Sequence, residues 1–129
     1  MTVQAPVPGP LSDGPRLDPL ALARLSELDP DGRHGVVNRV LAAFDTSLTR
    51  MLGQLEAQAE APTAALVASI AHTLKSSSAS VGALELARSC AEVEARIRTG
   101  DTDSLQRDIG RLISDGQAAL VAVGAILRP

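Results

Sequence analysis

The stretch of sequence around His72 is the part of the chain most able to do chemistry. At about 100° per residue, a helix here turns His72 away from its apolar stripe and toward solvent. The stripe expected to be buried consists of Leu66, Ile70, Leu74, Ser77 and Val81. Apart from Lys75, the neighbours of His72 on the outer face are all small, namely Ala65, Ala68, Ser69, Ser76 and Ala79. Small side chains would let a second protein bring a reactive group close to the imidazole.

Lys75 is the one long side chain beside His72 on this face. It follows His72 by three residues, so both lie on the same side of a helix. It is also the only lysine of the chain, since the other eleven basic residues are arginine. A compact ammonium on a flexible stem suits a transient phosphoryl group better than a guanidinium fork does. The pair therefore predicts a nucleophilic imidazole beside a cation that stabilises phosphate.

Other titratable residues fit structural roles better than chemical ones. His34 lies in the turn DGRHG, without small neighbours or a following cation, and we interpret it as a turn or cap residue. Cys90 falls in the apolar stripe of its helix and is interpreted as a small core residue. Glu92 and Glu94 could form an acid–base pair or half a metal site, but the pattern favours ion pairs on helix surfaces. The pairs expected at four-residue spacing are Glu92 with Arg96, Glu94 with Arg98 and Asp103 with Arg107.

The run H-T-L-K-S-S-S-A-S-V-G-A, which starts at His72, resembles the signature of histidine-containing phosphotransfer (HPt) domains, roughly H-x-[LI]-K-[GS]-[SA]-[SA]-x-x-x-G. The resemblance covers about residues 34–127, with a specific motif and with helix order and lengths in support. It implies a four-helix bundle in which His72 is the phosphoacceptor, at Nε2, and Lys75 is the family's cation. One departure is Ser76, where the family usually has glycine.

The same resemblance implies supporting residues and partners. Ser77 would be the small or hydroxyl position that faces the bundle, and Gly82 the turn before the next helix. Glu94 would face the site from that next helix and orient the imidazole. The implied partner is the receiver domain of a hybrid sensor histidine kinase, of a response regulator, or of both. That receiver would supply Mg²⁺ and the carboxylates that hold it, so no metal or other cofactor is expected in this chain.

Helices must position these residues, because almost every segment from Asp18 onward repeats at helical spacing. Asp18 followed by Pro19 predicts the start of a short helix that carries Leu20, Leu22, Leu25 and Leu28 and stops near residue 29. Longer helices are expected over about residues 35–60, 62–80, 84–98 and 102–127. Short connections force antiparallel neighbours. The predicted fold is therefore all-α, an antiparallel four-helix bundle with a short additional N-terminal helix.

Composition excludes several classes of protein. The chain has no Trp or Tyr, one Phe and a net charge of −3, which argues against nucleic-acid binding. A single cysteine excludes an internal disulfide framework and fits a reducing compartment. Without a phosphate-binding glycine motif, the chain is not expected to bind ATP or to phosphorylate itself. Without a signal peptide or an apolar run of membrane-spanning length, it is expected to be soluble and cytoplasmic.

The expected organisation is a Pro-rich, flexible tail over residues 1–16 and one bundle domain over residues 17–129. The expected function is that of a phosphorelay intermediate, not an enzyme, that acts as a monomer. It would accept a phosphoryl group on His72 from one receiver aspartate and pass it to another. An alternative is an adaptor bundle that binds or sequesters a signalling partner through the same face without being phosphorylated. A third possibility is a homodimeric structural bundle.

Overall fold

The computed structural model describes residues 16–129, and all regular secondary structure in that range is helical. The helices are α1 (Pro19–Ser26), α2 (Val36–Ala57), α3 (Ala64–Val81), α4 (Leu84–Arg98) and α5 (Leu105–Leu127). The predicted all-α bundle with a short leading helix is confirmed. The tail predicted over residues 1–16 lies outside the described residues, apart from Arg16.

The short helix α1 starts as its sequence predicts. The carboxylate of Asp18 accepts a hydrogen bond from the N–H of Leu20 at 3.3 Å, and Pro19 occupies the first turn, where its missing N–H costs little. The helix ends earlier than predicted, at Ser26. Because so short a helix buries only one narrow side, two of its four expected apolar leucines remain exposed. These are Leu20 and Leu28.

The four long helices pack as an antiparallel bundle. Helix α3 packs most extensively on α4, and α2 packs on α5. The direction of the α2–α5 pair shows in two contacts. Gln106 at the start of α5 donates to the carbonyl of Ala59 just after α2 at 3.1 Å, and Arg128 just after α5 lies 3.5 Å from Asp45 in the first half of α2. The core between them is aliphatic. Its largest fully buried side chains include Leu41, Leu48, Leu55, Leu74, Leu86, Ile109 and Leu112.

The buried face of α3 differs from the predicted stripe by about one residue. Leu66 is exposed and Ser77 is half-buried, whereas Val67 and Ser78 are buried. Because helix α3 packs on both α4 and α2, it buries a wider face than a single apolar stripe predicts. The hydroxyl of Ser78 has no hydrogen-bond partner among residues 16–129. His72 still lies on the exposed side.

A two-residue turn joins α3 to α4. Gly82 adopts the left-handed conformation, with φ of 85°, and the N–H of Ala83 donates to the carbonyl of Ser78 at 2.8 Å. The N–H of Asp18 donates to the carbonyl of Gly82 at 2.9 Å, so the start of α1 is attached to this turn. A Cβ at position 82 would lie 2.6 Å from that backbone nitrogen. The position therefore requires glycine, as the prediction of a turn there implied.

The ion pairs differ from those predicted at four-residue spacing, and none of the three predicted pairs forms within the described residues. Glu92 instead pairs with Arg111 of α5 at 2.7 Å. Arg96 donates twice to the buried Asp108, which raises the pKa of the Arg96 guanidinium through that hydrogen bond. Antiparallel packing brings these partners close from the neighbouring helix. The prediction failed because it considered one helix at a time.

Helix α5 is long and apolar enough, by length and composition alone, to cross a membrane. The core helix of a soluble protein has the same length and composition. Ile109, Leu112 and Val123 of this helix are buried in the bundle. Two of its charged residues, Asp108 and Arg111, pair with residues of α4. These contacts assign α5 to the bundle.

Candidate functional site

The candidate site lies in the middle of α3, where His72 projects from the outer surface of the bundle. Its side chain is 68% exposed, so a second molecule can reach the imidazole. The ring is nevertheless not free to turn. Its Nδ1 atom lies 2.8 Å from Oε2 of Glu94, on the neighbouring helix α4.

The turn between α3 and α4 explains why these two side chains meet. In an antiparallel hairpin centred on residue 83, position 72 lies opposite position 94. The side chain of Glu94 is only 16% exposed. Because an ionised carboxylate can only accept hydrogen bonds, the imidazole must donate from Nδ1. The lone pair of the neutral ring is then on Nε2, which has no hydrogen-bond partner among the described residues.

Lys75 is bound to the same carboxylate. Its ammonium donates to Oε1 of Glu94 at 2.7 Å, so Glu94 uses one oxygen for each donor. The hydrogen bonds from Lys75 and then from His72 lower the pKa of Glu94 below its usual value. At neutral pH the site therefore holds an ionised carboxylate between an imidazole and an ammonium. Surface pairing of Glu94 with Arg98, as helical spacing alone suggested, does not occur.

The small surround predicted for His72 is present. Ala65, Ser69, Ser76 and Ala79 are exposed, and Ala68 is half-buried. Helix α4 extends this surface, because Ala87 and Ala91 share the face of α4 that carries Glu94. The sequence analysis did not single out these two alanines. Their spacing of three and seven residues before Glu94 is the signal that would have identified them.

Two of the serines after His72, Ser77 and Ser80, use their hydroxyls within α3. Ser77 donates to the carbonyl oxygens of Thr73 and Leu74 at 3.3 and 3.4 Å, and Ser80 donates to that of Ser76 at 3.0 Å. Such bonds satisfy a half-buried hydroxyl without a partner from another helix. Ser77 is thus half-buried at the side of the bundle. Ser76 lies one turn after His72 on the exposed face.

The other histidine and the cysteine lie outside this site. His34 is in the turn before α2, where its backbone N–H donates to the carboxylate of Asp29 at 3.2 Å. Cys90 is fully buried, and burial raises the pKa of its thiol to about 12. Both structural interpretations are confirmed. Among residues 16–129, no group of three or more His, Cys, Asp or Glu side chains could hold a metal ion.

Comparison with known proteins gives one match. The model of the Hpt domain family matches residues 39–122, which is well over half of the chain. The matched span runs from the first turns of α2 into α5 and contains His72, Lys75 and Glu94, but it leaves out α1. No curated protein and no solved structure matches the chain.

Proposed function

The chain belongs to the Hpt domain family, and from that premise we propose that it is a phosphorelay intermediate whose phosphoacceptor is His72. The family's domains are phosphotransfer modules of two-component signalling, and they interact with receiver domains. In the proposed function, His72 takes a phosphoryl group from the aspartyl phosphate of one receiver and gives it to the aspartate of another. The observation that carries the proposal is an exposed imidazole whose Nδ1 is held by a carboxylate.

The proposed chemistry uses Nε2 as the nucleophile. Its lone pair attacks phosphorus, the Nε2–P bond forms, and the bond from phosphorus to the aspartate oxygen breaks with its electron pair left on the carboxylate. The ring keeps its Nδ1 proton, so the product is a phosphoimidazolium. Its positive charge develops 2.8 Å from Glu94, which stabilises it. Transfer to a second receiver is the reverse of these steps.

Glu94 and Lys75 have different roles in this proposal. Glu94 is a positioning residue, because it fixes the tautomer and the orientation of the imidazole and does not contact the phosphoryl group. Lys75 stabilises phosphate. An ammonium has three N–H donors, and one is used by Glu94, so two remain for phosphoryl oxygens. Lys75 can therefore hold Glu94 and contact a phosphoryl group on His72 at the same time.

The small side chains around His72 form the proposed docking face for the receiver, with Ala65, Ala68, Ser69, Ser76 and Ala79 on α3. Transfer requires the receiver's aspartate to come within bonding distance of Nε2, so its backbone must approach this helix closely. Long side chains such as arginine or glutamate at these positions would keep the receiver's backbone away from the helix. A groove of about 330 Å³ beside Ser77 and Ser80, between α2 and α3, offers a further place for partner side chains.

The metal ion of the proposed transfer belongs to the receiver. Phosphoryl transfer depends on positioning and on charge stabilisation, and we assign the Mg²⁺ ion and its carboxylate ligands to the receiver. We also propose that the chain has no kinase activity or ATP site of its own and that it acts as a soluble monomer in the cytoplasm. Its acidic net charge of −3 favours a protein partner over nucleic acid.

The test uses both histidines of the chain. A purified receiver domain, phosphorylated with acetyl phosphate and Mg²⁺, is incubated with the wild type, with His72→Gln and with the matched control His34→Gln. We expect an acid-labile, alkali-stable label on the wild type and on the control, and none on His72→Gln. Both variants should keep the wild-type circular dichroism and melting temperature, because both side chains are exposed.

Three outcomes would contradict parts of the proposal. A label that persists on His72→Gln would place the acceptor on another residue. Receiver binding that is equally tight for the wild type and His72→Gln, with no label on either, would favour the unphosphorylated adaptor. An apparent mass near twice 13.3 kDa at low micromolar concentration would contradict the monomer and favour the structural dimer.

A further inference from the structure

Two exposed serines of α3 keep hydroxyls that nothing in the described chain binds. Ser69 and Ser76 are exposed, and neither hydroxyl has a hydrogen-bond partner among residues 16–129. Ser77 and Ser80 differ, because each donates to a carbonyl oxygen of the preceding turn. The bond from Ser80 ends on the backbone carbonyl of Ser76 and leaves the Ser76 hydroxyl unused. A serine hydroxyl can donate one hydrogen bond, so both side chains can bind a ligand.

The two serines lie one turn on either side of His72 along the helix. Ser69 precedes it by three residues and Ser76 follows it by four, which places their Cβ atoms about 5–6 Å from that of His72. The side chains of a helix lean toward its N-terminus. The imidazole therefore leans toward Ser69, and the hydroxyl of Ser76 leans toward the imidazole.

Both serines lie on the side of His72 that faces away from Glu94. At about 100° per residue, Ser69 and Ser76 lie about 60° and 40° around the helix from His72 in one direction. Lys75 lies about 60° away in the other direction, which is that of α4, because its ammonium binds Glu94 at 2.7 Å. The groove between α2 and α3 lies on the side of the serines. The ammonium and the two hydroxyls thus stand on opposite sides of the imidazole.

The hydrogen bond to Glu94 turns the nucleophilic nitrogen of His72 toward the serines. Nδ1 lies 2.8 Å from the Glu94 carboxylate and so faces α4. Because Nδ1 and Nε2 lie on different sides of the imidazole ring, Nε2 faces away from α4. A phosphoryl group bonded to Nε2 would then lie over the side of the helix that carries Ser69 and Ser76. This step rests on the proposed function, because it takes Nε2 as the phosphorylated atom.

A phosphoryl group at that place requires hydrogen-bond donors from more than one direction, since it carries three strongly accepting oxygens. Lys75 can donate from the side of α4 with the two N–H groups that Glu94 leaves unused. The serine hydroxyls can donate from the other side, and hydrogen bonds to a charged acceptor are stronger than those between neutral groups. A hydroxyl on a single carbon also leaves room for the receiver, which a second long cation would not.

We propose that the hydroxyls of Ser69 and Ser76 bind the phosphoryl group on His72, each by donating a hydrogen bond to a phosphoryl oxygen. The usual family residue at position 76 is glycine, which has no side-chain donor, so the Ser76 contact is a feature of this chain and not of the shared motif. Hydrogen bonds that exist only in the phosphorylated protein stabilise that state. The two serines therefore shift the phosphoryl group from the receiver toward His72.

The test measures the equilibrium of transfer, because weaker docking leaves that equilibrium unchanged. The second-order rate constants for transfer from a labelled receiver to His72 and back are measured in single turnovers, and their ratio is the equilibrium constant. The variants are Ser69→Ala, Ser76→Ala and the double variant. Ser114→Ala is the matched control, since Ser114 is an exposed serine on α5. Alanine is small and favours a helix, so all of these variants should fold.

We expect the equilibrium constant to fall about threefold in each single variant and about tenfold in the double variant, in favour of the phosphorylated receiver. Ser114→Ala should match the wild type. Ser76→Thr keeps the hydroxyl and should also keep the wild-type equilibrium constant. The ³¹P chemical shift of phospho-His72 should change in the double variant and stay constant in Ser114→Ala, because it reports the hydrogen bonds to the phosphoryl oxygens.

Other results would overturn the inference in distinguishable ways. An unchanged equilibrium constant in the double variant, with His72 still labelled, would remove the hydroxyls from the phosphoryl site and leave the proposed function intact. Equal slowing of transfer in both directions would assign the serines to docking alone. A constant for Ser76→Thr as low as that for Ser76→Ala would attribute the effect to side-chain shape. A wild type that accepts no label would refute the proposed function itself.

Discussion

One carboxylate organises the chemistry of this surface. Glu94 accepts from the imidazole of His72 with one oxygen and from the ammonium of Lys75 with the other. The two donors are on the same helix, one turn apart, so their separation matches the two oxygens of a single carboxylate. Removing its charge would release both donors at once. The imidazole would lose its fixed tautomer, and the lysine would lose its anchor.

We expect Glu94→Gln to slow phosphoryl acceptance by about tenfold, because the phosphoimidazolium would form without an anion beside it. Glu92→Gln is the matched control, since Glu92 is on the same helix but pairs with Arg111 instead. The measurement is the single-turnover rate at saturating receiver, together with the ¹⁵N chemical shifts of the imidazole. The shifts should show a mixture of tautomers in Glu94→Gln and the Nδ1–H form in the control.

The effect of Glu94 on stability has a defined pH dependence. Its pKa is lowered from 4.5, so its contribution is complete above that value and is lost as the pH falls through the lowered pKa. The difference in unfolding free energy between the wild type and Glu94→Gln should therefore shrink as the pH falls through the lowered pKa and vanish in acid. If the wild type and Glu94→Gln have equal phosphoryl-transfer rates and identical imidazole ¹⁵N shifts, Glu94 has no positioning role.

The place of Glu94 shows what sequence patterns can predict about single residues. Helical spacing paired it with Arg98, whereas the resemblance of the motif placed it beside His72. In the structure Glu94 lies beside His72, as the resemblance implied. The connection of two residues fixes which parts of α3 and α4 face each other. Spacing within one helix contains no information about the neighbouring helix. The ion pairs of Glu92 and Arg96 were predicted wrongly for the same reason.

At the scale of elements, Gly82 joins three helices. It ends α3, it leads into α4, and its carbonyl accepts from Asp18 at the start of α1. We expect Gly82→Ala to destabilise the protein by about 3 kcal/mol, because alanine is strained at positive φ and its Cβ would collide with the backbone of Asp18. Denaturation by urea, followed by circular dichroism, measures the change.

Gly53→Ala is the control for that substitution. Gly53 is exposed inside α2, and a Cβ there meets nothing within 4 Å. Alanine favours a helix over glycine, so this variant should be more stable by about 0.5–1 kcal/mol. If Gly82→Ala lowers the unfolding free energy and Gly53→Ala raises it, the cost at Gly82 comes from the geometry of the turn and not from helix propensity. A Gly82→Ala protein as stable as the wild type would mean that the contact with Asp18 is dispensable.

The helices themselves were largely predictable, but their ends and one cap were not. Apolar spacing located all five, because each buries an aliphatic side against the others. Their boundaries differ by a few residues, as for α5, which begins at Leu105 instead of near residue 102. The cap of α2 was missed. Asp29 accepts from the N–H groups of His34 and Val36, five and seven residues later, and no local capping pattern has that spacing.

At the scale of the whole molecule, the face around His72 carries small side chains, and exposed positions on other sides of the described bundle should tolerate substitution. Ser69→Arg adds a long side chain one turn before His72, and Ser114→Arg adds the same side chain to the exposed face of α5. We expect the first to weaken receiver binding about tenfold, or by about 1.4 kcal/mol, and the second to leave it unchanged. Titration of each variant with the receiver measures this. Equal affinities would contradict the docking role of the small surround.

The two-residue turn between α3 and α4 also limits how this chain can change in evolution. One inserted residue there would rotate α4 by about 100° relative to α3 and shift it by 1.5 Å, which would carry Glu94 away from His72. The connection between α4 and α5, over residues 99–104, contains none of the three residues of the site. Insertions should therefore accumulate between α4 and α5, while the length of the turn at Gly82 stays constant for as long as the chain depends on this pair of side chains.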